Sequence, residues 1–275
     1  MRVLGVLQYD FMQRALLAAA LVGVTAPAIG IFLVQRRLSL MGDGIGHVAF
    51  AGVAAGFLFA TSPVVTAMIA AAMGGVAIEL LRGRGRTAGD LALALIFYGG
   101  LAAGALLTYL AGASNRVLSY LFGSVLVVTA TDLQVTAVTA VVVLATVFGL
   151  RKQLFAVCYD EEAARVSGLP VRALNLLLAV IAAVTVAVTM RVVGILLVSA
   201  MLVLPVGAAQ QLARSFGATM VSASALGVVL SVGGLLIAFY ADVAPGATIV
   251  LSAIGAFTLA TALATLIRLT RRAQA

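Results

Sequence analysis

The chain is expected to be an all-α polytopic membrane protein. It should form a bundle of eight to nine transmembrane helices, with a short re-entrant helix on the outer face and another short helix in a cytoplasmic loop. Three observations point there. Of its 275 residues 64% are hydrophobic and only 9% charged, against about a quarter charged in a soluble domain; the mean hydropathy is +1.22. Apolar runs of about twenty residues, the length that crosses about 30 Å of hydrocarbon, recur from one end to the other. The basic residues gather in short stretches between those runs, so the net charge of +8 reports topology rather than a nucleic-acid partner.

The runs fall at 12–34, 39–60, 63–81, 88–110, 133–150, 171–190, 192–210, 217–240 and 246–267. Cytoplasmic loops collect Arg and Lys. One assignment places Arg36, Arg37, Arg82, Arg84, Arg86, Arg151, Lys152, Arg165, Arg172, Arg214, Arg268, Arg271 and Arg272 on the same side, thirteen of the seventeen basic residues. The N-terminus is then outside and the C-terminus inside. Residues 111–132, AGASNRVLSYLFGSVLVVTATD, are apolar enough to suggest a further span, but counting it would invert every later loop. They are read as a short helix that re-enters or lies on the outer face. No cleavable signal stands out, so Met1 onward is expected to be retained.

Pro63 and Pro170 fall at helix starts, where a missing N–H costs nothing. Pro27 and Pro205 lie inside spans and should bend them. Gly52 with Gly56, and Gly100 with Gly104, are small-xxx-small pairs that let helices approach closely. No repeat and no linker divides the chain, so residues 1–275 form a single transmembrane domain that includes the cytoplasmic loop 153–170. The single cysteine, Cys158, rules out a disulfide framework and a Cys-rich metal site.

Within the apolar stretch 38–57, LSLMGDGIGHVAFAGVAAGF, stand Asp43 and His47, the latter the only histidine in the chain. Ionisable groups inside hydrocarbon are expensive. Their i, i+4 spacing turns both to one helical face, and a carboxylate beside an imidazole is a donor set for a divalent transition metal. The plainer reading is that the two hydrogen-bond each other, or that Asp43 caps the helix; the coincidence of both groups favours an ion path. Asp90 begins a later span and is a further candidate for the lower part of that path. Glu79 is read as an ion-pair partner of the Arg82–Arg86 loop.

The loop QLFAVCYDEEAARVSGLP, 153–170, holds Asp160, Glu161 and Glu162. Asp160 followed by EEAARV reads as an N-capped helix with acids in its first turn and Gly168 at its end. It is a solvated connector or a docking element for a cytoplasmic partner; composition leaves both open. No G-x-x-x-x-G-K-[ST] and no H-E-x-x-H occurs. The chain therefore reads as no enzyme and carries no nucleotide site of its own.

These residues resemble a known family, the permease subunits of bacterial zinc and manganese ABC importers. The likeness covers RRLSLMGDGIGHVAFAGVAAG at 36–56, YLFGSVLVVTATDL at 120–133, DEEAARVSGLPV at 160–171, VGILLVSAMLVLPVGAAQQLAR at 193–214 and FYADVAPGATIVL at 239–251, in that order along nearly the whole chain. The resemblance implies that Asp43 and His47 belong to the metal pathway and gate. It implies that Asp160, Glu161, Ala163, Ala164 and Gly168 belong to a coupling helix that docks on an ATPase subunit. It implies a second copy of the chain, two cytoplasmic ABC ATPase subunits and an extracytoplasmic metal-binding protein as partners, in the bacterial plasma (inner) membrane. No cofactor is expected to be bound permanently; zinc, or manganese, is the transported ion. Ser124 stands where some zinc permeases carry Asp, yet the Y-L-F-G-S form resembles zinc permeases more than manganese ones. Zinc is thus the expected cargo. The alternatives are a manganese or iron importer of the same type and an ion-coupled secondary carrier using Asp43 and His47 as a proton relay.

Overall fold

The computed structural model of the chain describes residues 8–83, 89–123 and 128–273. Arg84, Arg86 and Ser124, which figured in the topology and in the family motif, lie outside the described residues. Helices account for almost everything described, with no strand among those residues: α1 (Asp10–Gln35), α2 (Met41–Leu58), α3 (Pro63–Gly83), α4 (Gly89–Ala111), α5 (Ser114–Phe122), α6 (Ala130–Gly149), α7 (Arg151–Tyr159), α8 (Glu161–Val166), α9 (Val171–Val193), α10 (Ile195–Leu212), α11 (Phe216–Ala241) and α12 (Pro245–Ala273).

Eight of these, α1, α2, α3, α4, α6, α9, α11 and α12, are long and apolar enough to cross a membrane. The ninth expected span is α10, an apolar helix of 18 residues, the same length as α2. Gly194 links α9 to α10 with φ +84, a left-handed conformation that favours glycine. The end of α5 packs on that turn: a side chain on Gly123 would collide with the Gly194 amide. The end of the expected re-entrant helix therefore covers the start of α10. At nine residues, α5 is about 14 Å long and too short to span.

α1, α2 and α9 are mostly buried, whereas α4, α6 and α12 are mostly exposed. A helix that is apolar all round belongs inside the bundle, and α2 meets that condition except along one strip. Its surroundings are set by small residues. Gly52 and Gly56 lie against Ala67 and Pro63 of α3, while Gly104 faces the Phe50 ring and Gly100 the backbone at His47. Pro27 and Pro205 sit inside α1 and α10 as expected, and Pro63 is the first residue of α3. Pro170 is one position earlier than expected, at the N-cap of α9.

Candidate metal path and coupling contact

α1 ends in a tight turn. Arg37 takes φ +59, and the Leu38 N–H donates to the Leu33 carbonyl at 2.8 Å, closing the last turn as a Schellman-type cap. The chain then re-enters directly as α2. Asp43 is its third residue, in the first turn, where the helix dipole favours an acid. It does not cap the helix, since Leu40 occupies that position without a side-chain bond. His47 follows one turn later, its ring edge-on to Phe97 of α4 with centroids 4.5 Å apart. Asp43 and His47 are half-buried on a helix whose other early residues are buried. No ion pair joins them, and the buried His47 Nδ1 has no hydrogen-bond partner among the described residues. The reading in which the two simply satisfy one another does not hold.

α10 closes the other side of this face. A Cβ on Gly42 would lie 2.7 Å from Leu202 Cδ1, and one on Gly46 would lie 2.6 Å from Ile195 Cγ2. Both are closer than real side chains come, so the glycines at 42 and 46 are what bring α10 against α2. Ser199 stands between those contacts, beside the Asp43 carboxylate. Sequence reasoning missed it. The signal available was a serine at mid-span in an otherwise apolar helix.

The second polar region joins four elements. Glu161 Oε1 accepts from Arg36 Nη2 and from Arg82 Nη2, both at 2.8 Å, and from Asn175 Nδ2 at 3.3 Å. Glu79 Oε1 lies 3.3 Å from Arg82 Nη2 and 3.6 Å from Arg36 Nη2. Two acids and two guanidinium groups thus tie the end of α1, the end of α3 and the short α8 together, with Asn175 of α9 added. Beside them opens a cavity of about 800 Å³ lined by Glu79, Arg82, Glu161, Arg165, Arg172 and Asn175.

α8 itself forms as expected. Asp160 Oδ1 accepts from the Glu162 and Ala163 amides at 2.9 Å each. Gly168 has φ +81, and the Leu169 N–H returns to the Ala164 carbonyl at 3.1 Å.

The structure sorts the expected site residues. Asp43 and His47 share a face. Asp90 is exposed at the start of α4, and among the described residues no three His, Cys, Asp or Glu side chains form a metal-holding group; Asp90 does not join the pair within one chain. Two residues assigned to the docking helix turn toward their own chain. Glu161 is held by Arg36 and Arg82 because α8 packs back on the ends of α1 and α3. Ala164 faces inward and is buried. The outward face is Glu162, Ala163 and Val166 with Tyr159 just before it, Val166 being 90% exposed. Glu79 pairs with Arg82 as expected. Arg36, the partner it shares, was not foreseen in that role.

An all-helical bundle with a polar face on its central helix and a capped loop helix tied to its spans defines a multi-pass membrane permease. The chain belongs to the ABC 3 transport family, which it matches over residues 8–264. It is 32% identical over 252 residues to the manganese transport system membrane protein MntC of Listeria monocytogenes, covering 90% of this chain and 89% of that protein. It is 35% identical over 243 residues to the chelated iron transport system membrane protein YfeD of Yersinia pestis, covering 88% and 82%. The solved structure of PsaBC from Streptococcus pneumoniae in complex with Fab matches with a TM-score of 0.84 at 32% identity, over 94% of this chain and 93% of that one. The protein is the permease subunit of a bacterial metal ABC importer. These relatives are named for manganese and chelated iron, so the expectation of zinc drawn from the Y-L-F-G-S motif gains no support from them.

Proposed function

We propose that two copies of this chain form the translocation path of an ATP-driven importer for a divalent transition metal, with manganese or ferrous iron as the cargo in place of the expected zinc. The observation that carries this reading is the Asp43–His47 face, a half-exposed acid and imidazole on the central helix, with a buried ring nitrogen that nothing among the described residues satisfies. Two copies facing each other would present two carboxylates and two imidazoles. Carboxylate and water suit manganese, and imidazole suits iron. Binding at such a face is transient, because an ion held tightly is not released. The relatives' names support the choice of metal, and the exposed Ala163 and Val166 face of α8 supports a separate ATPase docking there. The positive-inside pattern supports an outer N-terminus and an inner C-terminus.

His47→Ala should abolish uptake of radioactive Mn²⁺ by cells that depend on this chain, while the permease still accumulates in the membrane. Uptake at the parental rate would remove Asp43 and His47 from the path. A secondary carrier would import the metal without any ATPase, so deleting the partner ATPase separates the two mechanisms.

A further inference from the structure

We infer that Ser199 is a third polar group on the metal path, and that its hydroxyl, set beside the Asp43 carboxylate, weights that path toward an oxygen-preferring ion such as Mn²⁺ over Zn²⁺. This rests on the Asp43–His47 path proposed above.

Buried hydroxyls in this bundle follow one habit. Of the seven buried Ser and Thr side chains among the described residues, five donate to the carbonyl one turn back: Thr25 to Leu21, Thr185 to Ile181, Thr189 to Thr185, Thr219 to Ser215 and Ser231 to Gly227. That bond is the default for a hydroxyl in an apolar helix. Ser199 and Thr136 do not make it. Ser199 is 4% exposed, and its hydroxyl turns from its own helix to the Asp43 carboxylate. What sets Ser199 apart is its address. Its Oγ would lie 3.5 Å from a Cβ on Gly42 and 3.8 Å from one on Gly46, level with Asp43 and one turn from His47. Three polar groups, a carboxylate, an imidazole nitrogen and a hydroxyl, therefore meet at one spot, with Ser199 paired to the Asp43 carboxylate and the His47 Nδ1 left open.

Ser199 offers its oxygen to the ion or to the ion's hydration shell. Zinc favours four ligands, rich in nitrogen and sulfur. Manganese favours oxygen ligands, carboxylate and water included. An added hydroxyl therefore raises the relative permeation of Mn²⁺.

The test measures Mn²⁺ and Zn²⁺ uptake, each labelled, in cells whose only permease is the full chain carrying Ser199→Ala, Ser199→Cys or Ser199→Thr. Ser199→Ala should lower Mn²⁺ uptake about tenfold, the scale of losing a group next to a metal ligand, with a smaller effect on Zn²⁺. Ser199→Cys, with a softer donor, should shift the ratio further toward Zn²⁺. Ser199→Thr keeps the hydroxyl and should keep the parental ratio. An unchanged Mn²⁺:Zn²⁺ ratio in the Ala and Cys variants, or equal loss of both metals, overturns the inference. If His47→Ala stops uptake while the Ser199 variants keep the ratio, the path stands and only the role of Ser199 falls.

Discussion

The Asp43–His47–Ser199 face and the Arg36–Glu79–Arg82–Glu161 cluster are both polar regions inside an apolar bundle, yet the chain treats them differently. In the cluster two acids meet two guanidinium groups, and a single oxygen of Glu161 takes three donors from three elements. On the α2 face the acid and the imidazole make no ion pair, the Asp43 carboxylate has only a serine hydroxyl beside it, and the His47 Nδ1 is left unbonded. Matched charges hold elements in place. Unmatched groups stay available to a ligand that arrives and leaves. The two regions are close in sequence, Arg36 preceding Asp43 by seven positions.

The largest contrast is expected in stability against function. Arg36 is 4% exposed at its side chain and Glu79 9%. Removing one partner of a buried pair costs about 3–5 kcal/mol; because Glu161 is 37% exposed, Arg36→Ala should cost about 2–3 kcal/mol. His47→Ala breaks no hydrogen bond or ion pair among the described residues, and Ser199→Ala removes only the contact with the Asp43 carboxylate, so both should leave the melting temperature of the purified permease near the parental value while transport falls. Thermal unfolding in detergent reads both. Equal destabilisation by Arg36→Ala and Ser199→Ala would erase the distinction between the two regions.

A smaller effect separates the two alanines of α8. Ala163 is exposed and Ala164 buried. Ala164→Trp should overpack the chain's own interior and cost about 1–3 kcal/mol. Ala163→Trp should leave the isolated permease intact and reduce co-purification of the ATPase. Gly168→Val, forced into φ +81, should cost about 1–2 kcal/mol and also weaken ATPase recovery. Full recovery with both Ala163→Trp and Gly168→Val would move the docking surface elsewhere.

How much of this was legible in the sequence follows from the range of the forces involved. Spans, prolines and the α8 caps are local, governed by neighbours within a turn, and Asp160 and Gly168 were readable for that reason. Asp43 and His47 were readable because lipid makes isolated ionisable groups conspicuous. The Glu161 contacts were not, because Arg36 and Arg82 lie 125 and 79 residues away, and a run of three acids looks the same whether it faces solvent or its own chain. Ser199 was hidden for another reason. A serine in a span is ordinary, and only the close approach of α10 at Gly42 and Gly46 gives it a role.

The smallest expected effect, one that should leave transport unaltered, concerns which ends of the bundle face which compartment. Ser114 opens α5, whose Tyr120 packs against Phe57 at the end of α2. Lys152 is on α7, whose Cys158 thiol donates to the Phe32 carbonyl near the end of α1 at 3.7 Å. The two positions therefore lie at opposite ends of the bundle, and among the described residues α6 is the single helix between them long and apolar enough to span. Thiol labelling can read this in the native background. Burial pushes the Cys158 thiol up to about 12, so at pH 8 its thiolate fraction is on the order of one in ten thousand and its reaction slow. An exposed cysteine with an ordinary value of about 8.5 reacts thousands of times faster. In intact cells a membrane-impermeant maleimide should label Ser114→Cys at once and Lys152→Cys only after the membrane is opened. Both labelled from outside would mean that 111–132 crosses the bilayer, and the topology from Arg151 onward would have to be inverted.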